Sequence, residues 1–167
     1  MWGGAPAFAG FTTIGSGSDT VGYWLGGLAT NRLVVAPKST ETIGAWGSGG
    51  ITRGTVSTTD GLANTTTLFG FGSAAHPAAY YCRSLTTGGY NTWYLPAKTE
   101  LLTLYSNQSA TPFATANSFI AGYYGFWSST ESTDANAWVH KFSTNAVFSY
   151  NKNVGGAYIR AVRRSTI

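Results

Sequence analysis

Five polar residues and Ala135 make up the segment 131–136, which lies between an aromatic segment and a tryptophan in the stretch "FWSSTESTDANAW". Glu131 and Asp134 are the acids of this loop, and Asn136 stands beside them. Calcium takes about six to eight oxygen ligands, several of them carboxylates, so a site here would draw most of its ligands from backbone and water. We therefore expect no metal ion in the loop. Two interpretations stay open, a ligand-binding surface and a hairpin turn that serves only the fold.

Histidine and cysteine, the residues that most often carry acid–base or nucleophilic chemistry, form no evident catalytic pair. His76 precedes Pro77 at a predicted helix start, and His140 lies in a predicted strand, so capping or surface positions account for both. The single cysteine, Cys82, falls inside a predicted helix, where we expect a buried and inert thiol that has no disulfide partner within the chain. Phosphate-loop and zinc motifs are absent. The sequence thus predicts neither an enzyme nor a cofactor.

Polar side chains also flank a tyrosine in the predicted strands near the C-terminus, in the segment "AVFSYNKN". Rigid aromatic rings beside adaptable polar groups are typical of recognition surfaces. We expect these residues to join the loop in one displayed patch that suits a sugar or a polar protein surface, although simple solvation of the polar set is the alternative. The candidate ligand-binding residues are Glu131, Asp134, Asn136, Ser149, Tyr150, Asn151 and Lys152.

Large rings supply burial in a domain that has no disulfide. We therefore assign Trp93, Trp127 and Trp138, together with Cys82, to the core. If Trp127 points inward in a strand, the two-residue period places Phe126 and Ser128 on the opposite face of that strand.

Two helices are predicted to position these residues. The first, in "AAHPAAYYCRSLTTGG", carries small and apolar residues at spacings of three and four and ends at Gly88 and Gly89. The second, in "LPAKTELLTLYSN", begins near Pro96. Its predicted buried side consists of Leu101, Leu102, Leu104 and Tyr105.

Strands are predicted on both sides of the helices, which indicates an α+β domain. Upstream, "YWLGGLATNRLVVAPKS" gives two short strands around a glycine turn, and the segment 44–72 has no helical period and is expected to be a long loop. Downstream, "GFWSST", "AWVHKFST", "AVFSYNKN" and "YIRAVRR" give four more segments. The arginines of the last segment are expected to pair with the scarce carboxylates.

Length and composition limit the class of protein. A chain of 167 residues fits one domain, for which we take 21–167, preceded by an extended arm at 1–20 that serves attachment or oligomerisation. Charged residues make up 10%, against about a quarter in ordinary soluble domains, which suits a protein outside cells or in a large assembly. The net charge of +4 is not clustered as nucleic-acid binding requires. Neither a signal peptide nor a membrane-spanning run is evident, so we expect no membrane insertion.

Three segments carry a family resemblance. "AAYYCRSLTTGGYNTWYLPAKTELLTLY", "FWSSTESTDANAWVHKFST" and "IRAVRR" resemble, in this order, the C-type-lectin-like domain at the C-terminus of bacterial collagen-like adhesins, which recurs in phage tail and fibre proteins. The resemblance covers about 74–164. It implies a C-type-lectin-like α+β fold in which two helices pack on a small, twisted, mostly antiparallel sheet with long loops.

The chain also departs from that family. Some members place a second cysteine in the last strand, where this chain has Ala161, and the "EPN", "QPD" and "WND" triplets of calcium-dependent lectins are absent. The formylglycine-generating enzymes share a related fold but use reactive cysteines, and Cys82 alone does not supply that chemistry.

The resemblance implies a phage virion protein, a receptor-binding or adhesion module of a tail or head fibre. Its expected partners are a host-surface glycan or protein and other virion proteins, and we expect a homo-oligomer, for example a trimer. The expected location is the virion, and hence outside the cell after lysis. The alternative is a structural decoration or scaffold protein of the virion that has no receptor.

Overall fold

The computed structural model describes residues 31–107 and 125–166, together with the strand segments 12–13 and 21–24. Its strands are β1 Thr12–Thr13, β2 Val21–Trp24, β3 Asn31–Val35, β4 Thr42–Gly44, β5 Phe126–Glu131, β6 Asn136–Lys141, β7 Ala146–Asn151, β8 Ala157–Ile159 and β9 Val162–Thr166. The helices are α1 Gly61–Phe69, α2 Pro77–Ser84 and α3 Lys98–Asn107, with short 3-10 turns at Lys38–Thr40 and Thr87–Gly89.

The strands form two sheets. One has the order β1-β2-β3-β9, and the other has the order β4-β8-β5-β6-β7. Strand pairing is antiparallel except between β5 and β8, where Phe126 pairs with Tyr158 in parallel. This architecture confirms the predicted α+β class and is consistent with a C-type-lectin-like domain. Most of the predicted arm at 1–20 lies outside the described residues, and within it Thr12–Thr13 pairs with β2.

Helix α1 contradicts the prediction that 44–72 is all loop. Asp60 caps it by accepting a hydrogen bond from the N–H of Ala63 at 3.0 Å. Apart from Leu68, its buried side has no large apolar residue, and the Thr65 hydroxyl donates to the Leu95 carbonyl at 3.1 Å and accepts from the Leu95 N–H at 3.0 Å. A helix that packs through hydrogen bonds shows no apolar period, which is why the pattern in the sequence missed it.

The two predicted helices exist, but their details differ. Helix α2 ends at Ser84 because Leu85 has an extended backbone, and Gly88 and Gly89 shape the following 3-10 turn with positive φ angles of 67° and 78°. Helix α3 begins at Lys98, and the prediction that Leu102 is buried is wrong, since this side chain is 46% exposed. Burial of Leu101 and Leu104 is confirmed.

Among the described residues the core consists of two clusters, and β5 contributes to both. Trp127 lies in the first cluster with Trp93 and Cys82, whereas Phe126 lies in the second, with Leu101 and others. The predicted placement of Phe126 and Trp127 on opposite faces of β5 is therefore confirmed, whereas the register of β5 with β6 becomes irregular between Trp127 and Glu131. Trp46 is a further buried ring of the first cluster, and it falls in the segment that we expected to be loop.

The C-terminal arginines only partly follow the prediction. Arg160 binds Glu41 at 2.8 Å, and Arg164 binds Glu100 at 3.0 Å. Arg163 instead places its guanidinium 3.5 Å from the centre of the Tyr90 ring, so an aromatic face takes the place of a carboxylate. Within the described part of the chain, no helix is long and apolar enough to cross a membrane.

Candidate functional site

Glu131 and Lys152, two of the candidate ligand-binding residues, form a buried ion pair. Their carboxylate and ammonium are 2.7 Å apart, and the side chains are only 2% and 0% exposed. The prediction that they are displayed is therefore wrong. A charge buried so deeply must be paired. Glu131 was expected in an open loop, but its carboxylate instead forms an ion pair inside the domain.

This pair holds three segments together at the base of the loop. The Glu131 carboxylate accepts hydrogen bonds from the backbone N–H of Arg53 at 2.9 Å and of Thr55 at 3.1 Å. The Lys152 ammonium also donates to the carbonyls of Asp134 at 2.9 Å and Ile51 at 3.3 Å. The 131–136 loop is thus fixed in place before any ligand arrives.

The pKa of Glu131 follows from the same contacts. Burial would raise the pKa of this carboxyl group, but the hydrogen bond from Lys152 and the two backbone N–H donors outweigh that effect. The pKa of Glu131 consequently lies below its ordinary value of 4.5, and the residue is ionised at neutral pH.

Tyr150 lies on the wrong face for the predicted patch. Its ring packs against Trp127 with the ring centres 5.6 Å apart, and it is half-buried at the first core cluster. Ser149 and Asn151, its neighbours in β7, point to the opposite side of the sheet because successive side chains of a strand alternate. The structure therefore does not bring Tyr150 together with the polar residues beside it.

The polar residues instead surround Trp138. In the β6–β7 register, Trp138 is opposite Ser149, and Asn136 is opposite Asn151. The Ser149 hydroxyl donates to the Ser132 hydroxyl at 2.8 Å, which brings the loop onto the same surface. We call this surface the Trp138 face, and it consists of Lys98, Ser132, Asn136, Trp138, Ser149 and Asn151.

The prediction that Trp138 belongs to the core is wrong. The residue is only half-buried, and the Lys98 ammonium lies 3.6 Å from the centre of its ring. Lys98 begins helix α3, whose later residue Tyr105 packs on His140 with ring centres 5.1 Å apart. Helix α3 therefore lies along this side of β6, with Tyr105 on His140 and Lys98 at Trp138.

Asp134 is exposed at the edge of the Trp138 face. Its carboxylate accepts a hydrogen bond from the N–H of Ala135 at 2.8 Å, and Asn136 donates its N–H to the Thr133 hydroxyl at 3.0 Å. Of the seven predicted residues, Asn136, Ser149 and Asn151 lie on the face and Asp134 borders it. Lys98 was not among the predicted residues and Trp138 was expected in the core, because only the tertiary fold places a helix start over a strand.

Both histidines are buried, so surface positions are excluded for them, while His76 does occupy the predicted N-cap position of α2 but makes no side-chain cap hydrogen bond. His76 is 0% exposed and accepts a hydrogen bond from Arg53 Nε at 3.0 Å. Burial, followed by the charges of Arg53 and Lys152, lowers the pKa of His76 to about 4. His140 is 2% exposed, and its Nε2 is 2.9 Å from the side-chain oxygen of Asn145. Neither ring is open to a substrate in this structure.

Cys82, Trp93 and Trp127 are fully buried as predicted. Burial raises the pKa of the Cys82 thiol well above its ordinary value, so the thiolate is disfavoured. Among the described residues, no group of three or more His, Cys, Asp and Glu side chains is arranged to hold a metal ion.

Comparison with known proteins agrees with the fold. The model of the Lcl C-terminal domain family matches residues 41–163, about three quarters of the chain and all elements from β4 to β8. No curated protein matches the sequence.

Proposed function

The chain belongs to the Lcl C-terminal domain family and is a lectin-like module of the adhesion type, and from this premise we propose that its Trp138 face binds a receptor. The proposed ligand is a glycan or a polar protein surface on a host cell. We further propose a non-catalytic role in a phage virion, on a tail or head fibre.

The observation that carries the proposal is the chemistry around the half-buried Trp138. An indole offers a flat apolar area for stacking, and the Lys98 ammonium at 3.6 Å adds a positive charge and three donors. The hydroxyls of Ser132 and Ser149 lie beside them as donors and acceptors. Hydroxyl-rich sugars and polar peptides present both a face to stack on and groups to hydrogen-bond, which matches this combination.

The rigidity of the face supports recognition as well. Glu131 and Lys152 anchor the 131–136 loop, and the register of β6 and β7 fixes the positions of Trp138 and Ser149. Groups that are already positioned lose little conformational entropy on binding, and this favours affinity. The low charged fraction of 10% suits a virion protein because neighbouring copies or proteins cover much of such a surface.

Substitution of the indole tests the proposal. We expect Trp138→Ala to reduce binding at least tenfold, because an anchoring aromatic ring contributes about 2 kcal/mol or more, while the folding stability falls far less than in a core tryptophan variant. The measurement is binding of the purified protein to an array of bacterial-surface glycans and to a panel of intact bacteria, paired with a melting curve.

Tyr150→Ala is the matched control, since it truncates a half-buried ring on the opposite face of the same sheet. We expect it to lower stability and to leave the affinity of a single folded domain for a soluble glycan unchanged. Unchanged binding by Trp138→Ala would contradict the receptor proposal.

A structural decoration or scaffold role is the second candidate, and the same low charge supports it. The two candidates differ in where the Trp138 face lies in an assembled particle. A face that is open at a fibre tip favours recognition, whereas a face that is covered by neighbouring subunits favours the structural role.

A further inference from the structure

Strand β7 is an outer strand of the five-stranded sheet, and in the described part of the chain it pairs with β6 alone. Its six residues, "AVFSYN", follow β6 in continuous register from Lys141 opposite Ala146 to Asn136 opposite Asn151. Natural proteins protect such edges with lysine, proline, bulges or very short strands. The edge strand β4 on the other side has only three residues. Strand β7 has none of these protections, and it is rich in residues that favour β-structure.

Half of the backbone groups of β7 point away from β6. The Lys152 N–H donates to the carbonyl of Ala135, the residue directly opposite in the register, at 3.0 Å. Hydrogen-bonded pairs alternate along an antiparallel ladder, so Tyr150 and Phe148 direct their backbone groups to β6. Val147, Ser149 and Asn151 therefore direct theirs outward, and all three residues are exposed. The Asn151 carbonyl accepts from the N–H of Val154 at 3.2 Å, and among the described residues the other outward groups of β7 have no backbone partner.

We propose that β7 pairs with β7 of a second copy of this chain, antiparallel and centred on Ser149. The pairing joins two five-stranded sheets into one sheet of ten strands. Ser149 lies opposite Ser149 of the partner subunit, and Val147 lies opposite Asn151 of the partner subunit, so that the outward donors and acceptors meet one another.

The side chains favour a second copy and this register. Phe148 lies opposite Tyr150 of the partner subunit, and the symmetry repeats the pair, which gives two aromatic pairs at the closely spaced positions where such pairs stabilise a sheet. Both rings are half-buried against the first core cluster, and the partner strand covers them further. A register centred on Phe148 would leave Tyr150 opposite an alanine instead.

Charge also favours self-pairing. The chain carries a net charge of +4, so copies repel one another over most approaches, but the residues of β7 are all uncharged. Lys152, which follows the strand, is neutralised by Glu131 inside the domain. Two copies can therefore approach one another along the edge of β7 without bringing like charges together. The proposal does not depend on the identity of any receptor.

A cysteine at the symmetry centre tests the register. Opposed residues of a hydrogen-bonded antiparallel pair have Cα atoms about 5.5 Å apart, which a disulfide can span. We expect Ser149→Cys in the full-length chain to form a disulfide-linked dimer under mild oxidation, visible on a non-reducing gel. The natural Cys82 is buried and gives a clean background.

Ser143→Cys is the matched control, because it makes the same substitution at an exposed position in the β6–β7 turn, far along the hairpin from the proposed centre. We expect far less cross-linked dimer from it. Equal cross-linking of the two variants, or none with Ser149→Cys, would overturn the proposed pairing.

Solution mass supplies an independent test. We expect the unaltered protein to sediment as a species that contains dimers, and Val147→Lys to raise the dimer dissociation constant at least tenfold by placing a charge at the edge. Ser143→Lys, which adds the same charge on the turn, should not change it. A monomer at every concentration, or equal effects of the two lysine variants, would overturn the proposal.

Discussion

At the scale of single residues, Glu131 and Asp134 show how two acids of one loop can have different roles. Glu131 is buried against Lys152, whereas Asp134 is exposed. Removing one partner of a buried ion pair leaves the other charge uncompensated and typically costs about 3–5 kcal/mol. We expect Glu131→Gln to lower the free energy of unfolding by roughly this amount at pH 7, measured by urea denaturation.

Asp134→Asn is the control for this prediction, since it makes the same change three residues later and should alter stability by about 0.5 kcal/mol or less. The pH dependence of the folding stability provides a second test. Because the pKa of Glu131 is lowered in the folded state, its stabilisation is present above its ordinary value of 4.5 and is lost as pH falls through the folded pKa. The unaltered protein and Glu131→Gln should therefore converge in stability as the solution is acidified, and a constant difference would contradict the assignment.

The sequence predicts some of these residue environments and not others. Burial of Trp93, Trp127 and Cys82 follows from large or apolar side chains in regular elements. Burial of Glu131 and Lys152 does not, because a charged residue in a polar segment indicates exposure unless its partner is known, and the partner is 21 residues away. The position of Trp138 depends likewise on Lys98, which comes from a different element.

At the scale of elements, the strands near the C-terminus were the most predictable part and α1 the least. The strands alternate in the sequence, and β5 places the neighbouring side chains of Phe126 and Trp127 in different core clusters. Helix α1 has buried asparagine and threonine, so its hydrogen bonds to distant segments replace the apolar stripe that a sequence pattern can detect.

Helix α1 starts at a glycine that has no room for a side chain. A Cβ atom on Gly61 would lie 2.4 Å from the Glu100 carboxylate, 2.6 Å from the Ala97 nitrogen and 2.7 Å from the Leu95 carbonyl oxygen. We expect Gly61→Ala to destabilise the domain by roughly 1–3 kcal/mol through overpacking, measured as a lower denaturation midpoint with an unchanged slope.

Gly70 at the other end of α1 is the matched control. Its φ of −61° is helical, and the nearest contact to an added Cβ would be at 3.4 Å. Alanine is compatible with this backbone, so Gly70→Ala should be neutral or stabilise the domain by a few tenths of a kcal/mol. Equal losses of stability in the two variants would contradict this prediction, because they would show that the close contacts of Gly61 with the start of α3 are not the cause.

At the scale of the whole molecule, the edge of β7 and the Trp138 face have a common consequence. Ser149 belongs to the face, and its backbone lies at the proposed centre of pairing. A dimer formed through β7 would therefore place two Trp138 faces on the same side of one continuous sheet. Two sites held together in this way can bind a repetitive surface with an avidity well above that of one site, with no change in either site.

The two core clusters share β5, and this predicts that the domain unfolds as one unit. Cys82 reports on this because it is fully buried in the first cluster and its thiolate is disfavoured by a raised pKa, so a thiol reagent reaches it only after unfolding. We expect Trp127→Ala in the first cluster and Leu104→Ala in the second to lose about 2–5 kcal/mol each. The labelling rate of Cys82 should then increase about tenfold for every 1.4 kcal/mol of stability lost. This holds for both variants when refolding is faster than the reaction of the exposed thiol. If Leu104→Ala loses stability without faster labelling, the clusters unfold separately, and rapid labelling of the unaltered protein would show that the first cluster opens while the rest stays folded.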